Sequence, residues 1–179
     1  MAAQLAVASQ ENPMRRIRIG KVVVSISVGR SGEPLEKAVR ILQDITGHRP
    51  SQRRAKKTIK TFGIRKGEPI ACMVTLRGGD ADAFLRRALD AVGRRLKQSS
   101  FDDEGNVSFG LKEHIEIPGV KYDPELGIYG MNINVHLERP GYRVKRRRRC
   151  PSDIGKTHKV TRGEAVKFME EAFSVQVGG

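Results

Sequence analysis

The chain has 179 residues, 38% hydrophobic and 30% charged, with 34 Lys and Arg against 20 Asp and Glu and a formal net charge of +14. That length can bury one core without disulfides or metals, and no apolar run approaches the roughly 18 residues of a membrane span. Met1 to Gln10 lack the basic start and long apolar stretch of a secretory signal, so membrane and secreted readings are set aside and the Asn106-Val107-Ser108 sequon is without consequence.

Residues 1–13 are expected to form a flexible N-terminal tail, followed by a single α+β domain over 14–179. Lys21 to Val28 is β-branched, with Ser25 and Ser27 at alternate positions, and reads as a buried strand ended by Gly29-Arg30-Ser31-Gly32. Leu35, Ala38, Val39, Leu42 and Ile45 recur at helical spacing, with Gly47 as the stop. Arg49 to Lys66 has no sustained period and reads as an exposed loop or distorted hairpin arm. Ile70 to Arg77 reads as a second strand, broken by Gly78-Gly79, with Asp80 as a helix N-cap. Phe84, Leu85, Ala88, Leu89, Val92 and Leu96 form one stripe of a long helix. Phe101 to Phe109 reads as a polar, turn-rich connection, and Glu113 to Ile117 as a short strand ended by Pro118-Gly119. Met131, Ile133, Val135 and Leu137 alternate with Asn132, Asn134, His136 and Glu138, the pattern of a half-buried strand that presents amides and an imidazole on its open side. Thr161-Arg162-Gly163-Glu164 matches a capping box opening a helix through Ala165, Val166, Met169, Ala172 and Phe173. The fold class this predicts is α+β, a mainly antiparallel sheet with helices packed on one face, basic loops and a basic C-terminal extension from about residue 139.

The charge is segregated. Met14 to Arg30 holds 5 basic residues and no acidic one, Arg49 to Lys66 holds 8 and none, and Arg139 to Arg162 holds 10 against 1. These blocks carry more positive charge than the whole chain, so the remainder is net acidic. Such blocks fit a polyanion, nucleic acid first, with anionic membrane or acidic protein as the rival partners. Aromatics are only 5% and Trp is absent, which argues against a single-strand stacking platform of the RRM or OB type.

Catalytic patterns fare poorly. Gly155-Lys156-Thr157 resembles the end of a phosphate-binding loop, but the required earlier glycine position is Cys150. Gly29-Arg30-Ser31-Gly32 fits a backbone-clamping GXXG loop and equally a plain strand-to-helix turn. Cys150 and His158 lack the second ligand pair of a zinc site, and Cys72 and Cys150 form no disulfide framework. Asp102, Asp103 and Glu104 cluster as in a metal-dependent nuclease, yet beside Gly105-Asn106 they read as a solvated loop. Neither an enzyme, a cofactor nor a resident metal is expected.

An ordered series of segments carries a resemblance: Lys21-Val22-Val23-Val24 through Val28-Gly29, Ile45-Thr46-Gly47-His48-Arg49-Pro50, Ala55-Lys56-Lys57-Thr58-Ile59, Phe62-Gly63-Ile64-Arg65-Lys66-Gly67 and Val74-Thr75-Leu76-Arg77-Gly78. Phe84-Leu85, Phe101-Asp102 with Gly105-Asn106, Gly110 with Glu113-His114-Ile115, Tyr122-Asp123 and Gly130-Met131 follow. The chain resembles the universal large-subunit ribosomal protein L-five family over roughly residues 14 to 137. Lys145 to Arg149, Ile154-Gly155, His158 and Glu164-Ala165 resemble its archaeal and eukaryotic branch, the archaeal side most.

The resemblance implies a non-catalytic protein of the large subunit, in the cytoplasm. It implies attachment of 5S rRNA in the central protuberance, contact with large-subunit rRNA and neighbouring proteins, an inter-subunit bridge to small-subunit protein thirteen, and proximity to peptidyl-site tRNA. The family's RNA-facing positions map onto Ser25, His48 and Thr75, where Ser25 replaces a common Asn and His48 a common Gln. Arg15, Arg16, Arg18 and Arg77 are expected beside them on 5S rRNA. Arg53, Arg54, Lys56 and Lys57 form the expected tRNA-facing loop, and Lys145, Arg146, Arg147, Arg148 and Arg149 an rRNA-contacting run. A free-standing RNA-binding or RNA-chaperone module shares the charge pattern but not the ordered segments.

Overall fold

Alternation along the first strand puts Val22, Val24 and Ile26 on one side, and in the computed structural model, which describes residues 12–178, all three are buried. Most of the expected N-terminal tail lies outside the described residues; within them, Asn12 caps a 3-10 turn, Pro13–Arg15, its side chain accepting from the Met14 N–H. Strand β1 covers Arg18–Ser27. Gly29 and Gly32, both at positive φ, turn the chain into helix α1, Glu33–Thr46. Gly47 ends α1 in the left-handed conformation (φ 69), its N–H donating to the Gln43 carbonyl. β2, Ser51–Arg54, leads through an arm to β3, Pro69–Leu76.

Helix α2 runs Gly78–Ala91 and corrects two expectations. Arg77, not Asp80, takes the N-cap position, and the Asp80 carboxylate instead lies in the first turn, where the helix dipole favours it. The apolar stripe continues in sequence to Leu96, but Gly93 (φ 67) and Arg94 (φ 56) turn left-handed and end the helix. Leu96 reaches the core from a short strand, β4, Arg95–Lys97.

The connection read as polar holds a strand, β5, Asn106–Leu111, whose Val107, Phe109 and Leu111 are buried. Glu113 to Ile117 is not a strand: His114–Glu116 form a 3-10 turn that carries His114 and Ile117 inward. β6, Met131–Glu138, follows its alternation as expected. A four-residue helix, α3, Arg143–Arg146, precedes α4, Arg162–Phe173, which opens on the Thr161–Glu164 capping box. β7, Gln176–Gly178, closes the described chain by pairing in parallel with β4.

The main sheet has the order β2-β3-β1-β6-β5, every pairing antiparallel. α1 packs on β3, α2 on β1 and α4 on β5. One hydrophobic cluster joins sheet and helices from Val22 to Val175, including Leu42, Phe84, Leu137 and Met169. Each such large side chain contributes about 1.5–3 kcal/mol by leaving water, which holds the helices to that face. The observed fold is the expected α+β arrangement.

Candidate nucleic-acid interface

Because strand side chains alternate, burying one face of this sheet leaves the other set in register on the opposite side. Antiparallel pairing lines that set up in rows. Ser51, Met73, Ser25, Asn132 and Gly110 form one row across all five strands. Thr75, Val23, Asn134 and Ser108 form the next, and Lys21, His136 and Asn106 a third. These residues are exposed or half-buried. The Ser108 hydroxyl donates to Asn134 Oδ1 at 2.9 Å, which leaves the Asn134 amide N–H groups for an external acceptor. The face carries hydroxyls and amides with Met73 and Val23 among them; Arg53 reaches in from β2, its Nε donating to Met73 Sδ, and Lys21 stands in the third row.

Ser25 and Thr75 stand on this face in neighbouring strands, one row apart. Arg77 continues the extended backbone beyond Thr75 and is exposed at the sheet's end. His48 is not a sheet residue. It follows the α1 stop, and its Nε2 lies 3.1 Å from Asp80 Oδ2, linking the end of α1 to the first turn of α2. Arg18 opens β1 about 23 Å from Ser25 along the strand, with Arg15 and Arg16 before it beside Lys167 and Glu171 of α4. The structure thus brings Ser25 and Thr75 together, while the antiparallel register carries Arg77 beyond Thr75 to the level of Lys21, toward the Arg18 end of β1 and away from Ser25. Asn132, Asn134, Ser108, Ser51 and Lys21 were not assigned from sequence, although the alternation in β6 was the signal for two of them.

The block from Arg49 to Lys66 divides: Ser51–Arg54 is the edge strand β2, and the segment beyond it forms a distorted hairpin arm. Ala55 donates to the Glu68 carbonyl at 2.8 Å and Gly67 to the Ala55 carbonyl at 2.9 Å; Ile59 and Ile64 then bridge at 2.9 and 3.1 Å. The arm's base is fixed by Glu68, which accepts from the Arg65 N–H at 2.9 Å and from the Ser31 hydroxyl, two bonds that hold its carboxyl below the usual range. Arg53 and Arg54 are exposed on β2, Arg53 donating to Met73 Sδ on the sheet face, whereas Lys56 and Lys57 are exposed on the arm, where Phe62 is 70% exposed.

The C-terminal basic run folds back onto the sheet's edge through one acid. Glu138, only 4% exposed, accepts from Arg18 at 3.2 Å and from Arg146 at 2.7 Å. Gly20 makes this possible, since the β1 register shifts there and a Cβ would lie 2.7 Å from Glu138 Cδ. Arg147 donates through Nε to the Cys150 carbonyl at 2.7 Å, while Lys145, Arg148 and Arg149 are exposed. His136, bonded through Nδ1 to Asn106 Oδ1 at 2.6 Å, is held below its ordinary pKa by burial and by the Lys21 and Arg146 cations, against the pull of Glu138 and Asp102.

The acidic trio builds a turn. Asp102 Oδ1 accepts from the Glu104 and Asn106 N–H groups at 3.0 and 2.6 Å, and its Oδ2 from the Asn106 amide at 2.6 Å. Among the described residues no group of three or more His, Cys, Asp or Glu is placed to hold a metal. Among them, too, no helix is long and apolar enough to cross a membrane.

Residues 12–65 match the family model described as ribosomal protein L5, and residues 69–168 match the ribosomal L5P family C-terminus. The large ribosomal subunit protein uL5 of Pyrobaculum aerophilum is 59% identical over 93% of this chain and 93% of its own length. The protein of that name from Aeropyrum pernix is 55% identical, over 93% of this chain and 87% of its own. That of Nitrosopumilus maritimus is 47% identical, over 93% and 96%. The relatives are archaeal, and the chain belongs to the large-subunit ribosomal protein L5 family, whose members are structural proteins of the ribosome and not enzymes.

Proposed function

We propose that this chain binds 5S rRNA through the open face of its sheet and helps to attach it in the central protuberance of the large subunit, in the cytoplasm. The observation that carries the reading is the open face that lines up Ser25, Thr75, Asn132 and Asn134, with Arg53, Lys21 and Arg77 beside them. Paired RNA offers a wide, shallow minor groove lined with 2′-hydroxyls, which short hydroxyl and amide side chains on a flat sheet can meet. The bordering cations supply affinity by displacing counterions from phosphates, and the face supplies register. Arg77 is placed to hold a phosphate next to Thr75. The arm, with Lys56 and Lys57 on it and Arg53 and Arg54 on β2 leading into it, extends toward peptidyl-site tRNA, and Lys145 to Arg149 reach large-subunit rRNA. The net-acidic remainder of the chain serves protein neighbours, among them small-subunit protein thirteen at an inter-subunit bridge.

The roles of face and rim separate in one filter-binding experiment on a 5S rRNA transcript over a salt series. Thr75→Ala loses about fivefold in affinity, the worth of one hydrogen bond, with an unchanged salt slope. Replacing Arg15, Arg16 and Arg18 together lowers the slope by about 1 for each phosphate they neutralise. Unchanged affinity in the first variant removes Thr75 from the interface, and an unchanged slope in the second removes the N-terminal arginines.

A further inference from the structure

A pocket of about 280 Å³ lies between β6 and the basic C-terminal extension, beside the sheet face and outside the contacts described above. It falls just below the roughly 300–1,000 Å³ of small-ligand sites, room for one small planar group and not for a strand or helix. Two rings wall it. His136 and Tyr142 form a tilted pair in mutual contact, centroids 6.4 Å apart and planes inclined at 59°, and both border the pocket. Both are fixed from behind. The Tyr142 hydroxyl accepts from the Val160 N–H at 3.1 Å and donates to the His158 carbonyl at 3.5 Å. His136 Nδ1 is engaged by Asn106, and its Nε2 lies 4.0 Å from Glu138 Oε2. Ile154 adds an apolar surface.

Three cations, Lys145, Arg146 and Lys159, and one acid, Glu104, complete the lining. Arg146 is drawn aside by Glu138, and Lys159 sits 3.7 Å from the exposed Glu104 carboxylate. Lys145 has no ion-pair partner among the described residues. A bare phosphate needs no rings, and an apolar ligand needs no lysines. Rings, an aliphatic cap and cations together match an unstacked nucleotide, its base against the π-faces and its phosphate on an ammonium group.

We propose that this pocket receives one unstacked nucleotide of the bound RNA, the base against the Tyr142–His136 pair and Ile154 and the phosphate on Lys145, away from the Glu104 carboxylate. The assignment to RNA and not to a free nucleotide follows from continuity, because His136 shares a row with Lys21 and Asn106 on the open sheet face. The inference rests on the RNA-binding reading above.

The test uses the full chain with 5S rRNA and large-subunit rRNA, ultraviolet cross-linking, and mass spectrometry of nucleotide-bearing peptides, alongside affinities of three variants. The expected result is an adduct on Tyr142 or His136. Tyr142→Ala and Ile154→Trp, the second filling the pocket while keeping every cation, each weaken RNA binding about tenfold, as loss of one stacked base does. Tyr142→Phe keeps the ring and the parent affinity. Parent affinity in both Tyr142→Ala and Ile154→Trp, or adducts confined to other peptides, overturns the pocket and leaves RNA binding standing. Failure of the parent chain to bind either RNA removes the RNA reading and the pocket with it. Saturable binding of AMP alone, abolished by Ile154→Trp while RNA affinity is unchanged, makes it a free-nucleotide site and overturns the RNA-borne assignment.

Discussion

Glu138 shows how a single acid organises a basic surface. Its carboxylate is buried beneath Arg18 and Arg146, whose side chains remain 60% and 47% exposed. Removing the acid lets both arginines turn to water, whereas removing both arginines strands a buried charge. Arg18→Ala with Arg146→Ala therefore loses about 3 kcal/mol in urea denaturation, and Glu138→Gln loses less. His136 next to it sets a pH dependence. Burial, Lys21 and Arg146 hold its pKa below the ordinary 6.5, with Glu138 and Asp102 opposing, so the fold favours the neutral ring. A depressed folded pKa gives stability that is present above the ordinary value and lost as pH falls below it. His114 acts in the same direction through burial. The melting temperature is expected to fall between pH 7.5 and pH 5.5, and His136→Gln to shrink that difference without abolishing it.

At the scale of elements, glycine positions decide where chain segments meet. Gly105, at φ +77, packs so closely that a Cβ would lie 2.6 Å from Val160 Cγ1. Gly47, at φ +69, has nothing within 4 Å of a Cβ. Gly105→Ala therefore combines backbone strain with overpacking and loses about 3 kcal/mol by thermal or urea denaturation, against about 1 kcal/mol for Gly47→Ala. The same logic separates what the sequence reveals from what it hides. β1, α1, β6 and α4 carry complete periodicities, so their faces can be read from single residues such as Val24, Leu42, Ile133 and Met169. β5 is obscured because Asp102 to Gly105 supply turn residues next to it and Gly110 interrupts its polar side. α2 seems longer than it is because Leu96 sits at helical spacing although Gly93 and Arg94 have already turned the chain. The β4–β7 pair is three residues on each side and parallel, a contact across 81 positions from Arg95 to Gln176 that leaves no local pattern. The site divides similarly. Ser25 and Thr75 fall on one face because both strands alternate, while the pairing of His48 with Asp80 depends on how two helix ends meet.

Across the whole molecule, the sheet is a boundary between two environments. One face closes on helices and supplies the stability. The other lines up hydroxyls and amides with Arg53 and Lys21 beside them, in a chain of net +14. That division fits a protein that is oriented on a structured RNA and is not merely attracted to phosphate. The direct measurement is the affinity of the full chain for 5S rRNA against a size-matched, unrelated structured RNA over a salt series. The account predicts a preference for 5S rRNA that persists at moderate salt, because the hydroxyls and amides of the face contribute contacts that counterions do not displace. Equal affinities that collapse together as salt rises would contradict it, leaving only a basic surface without a reading face.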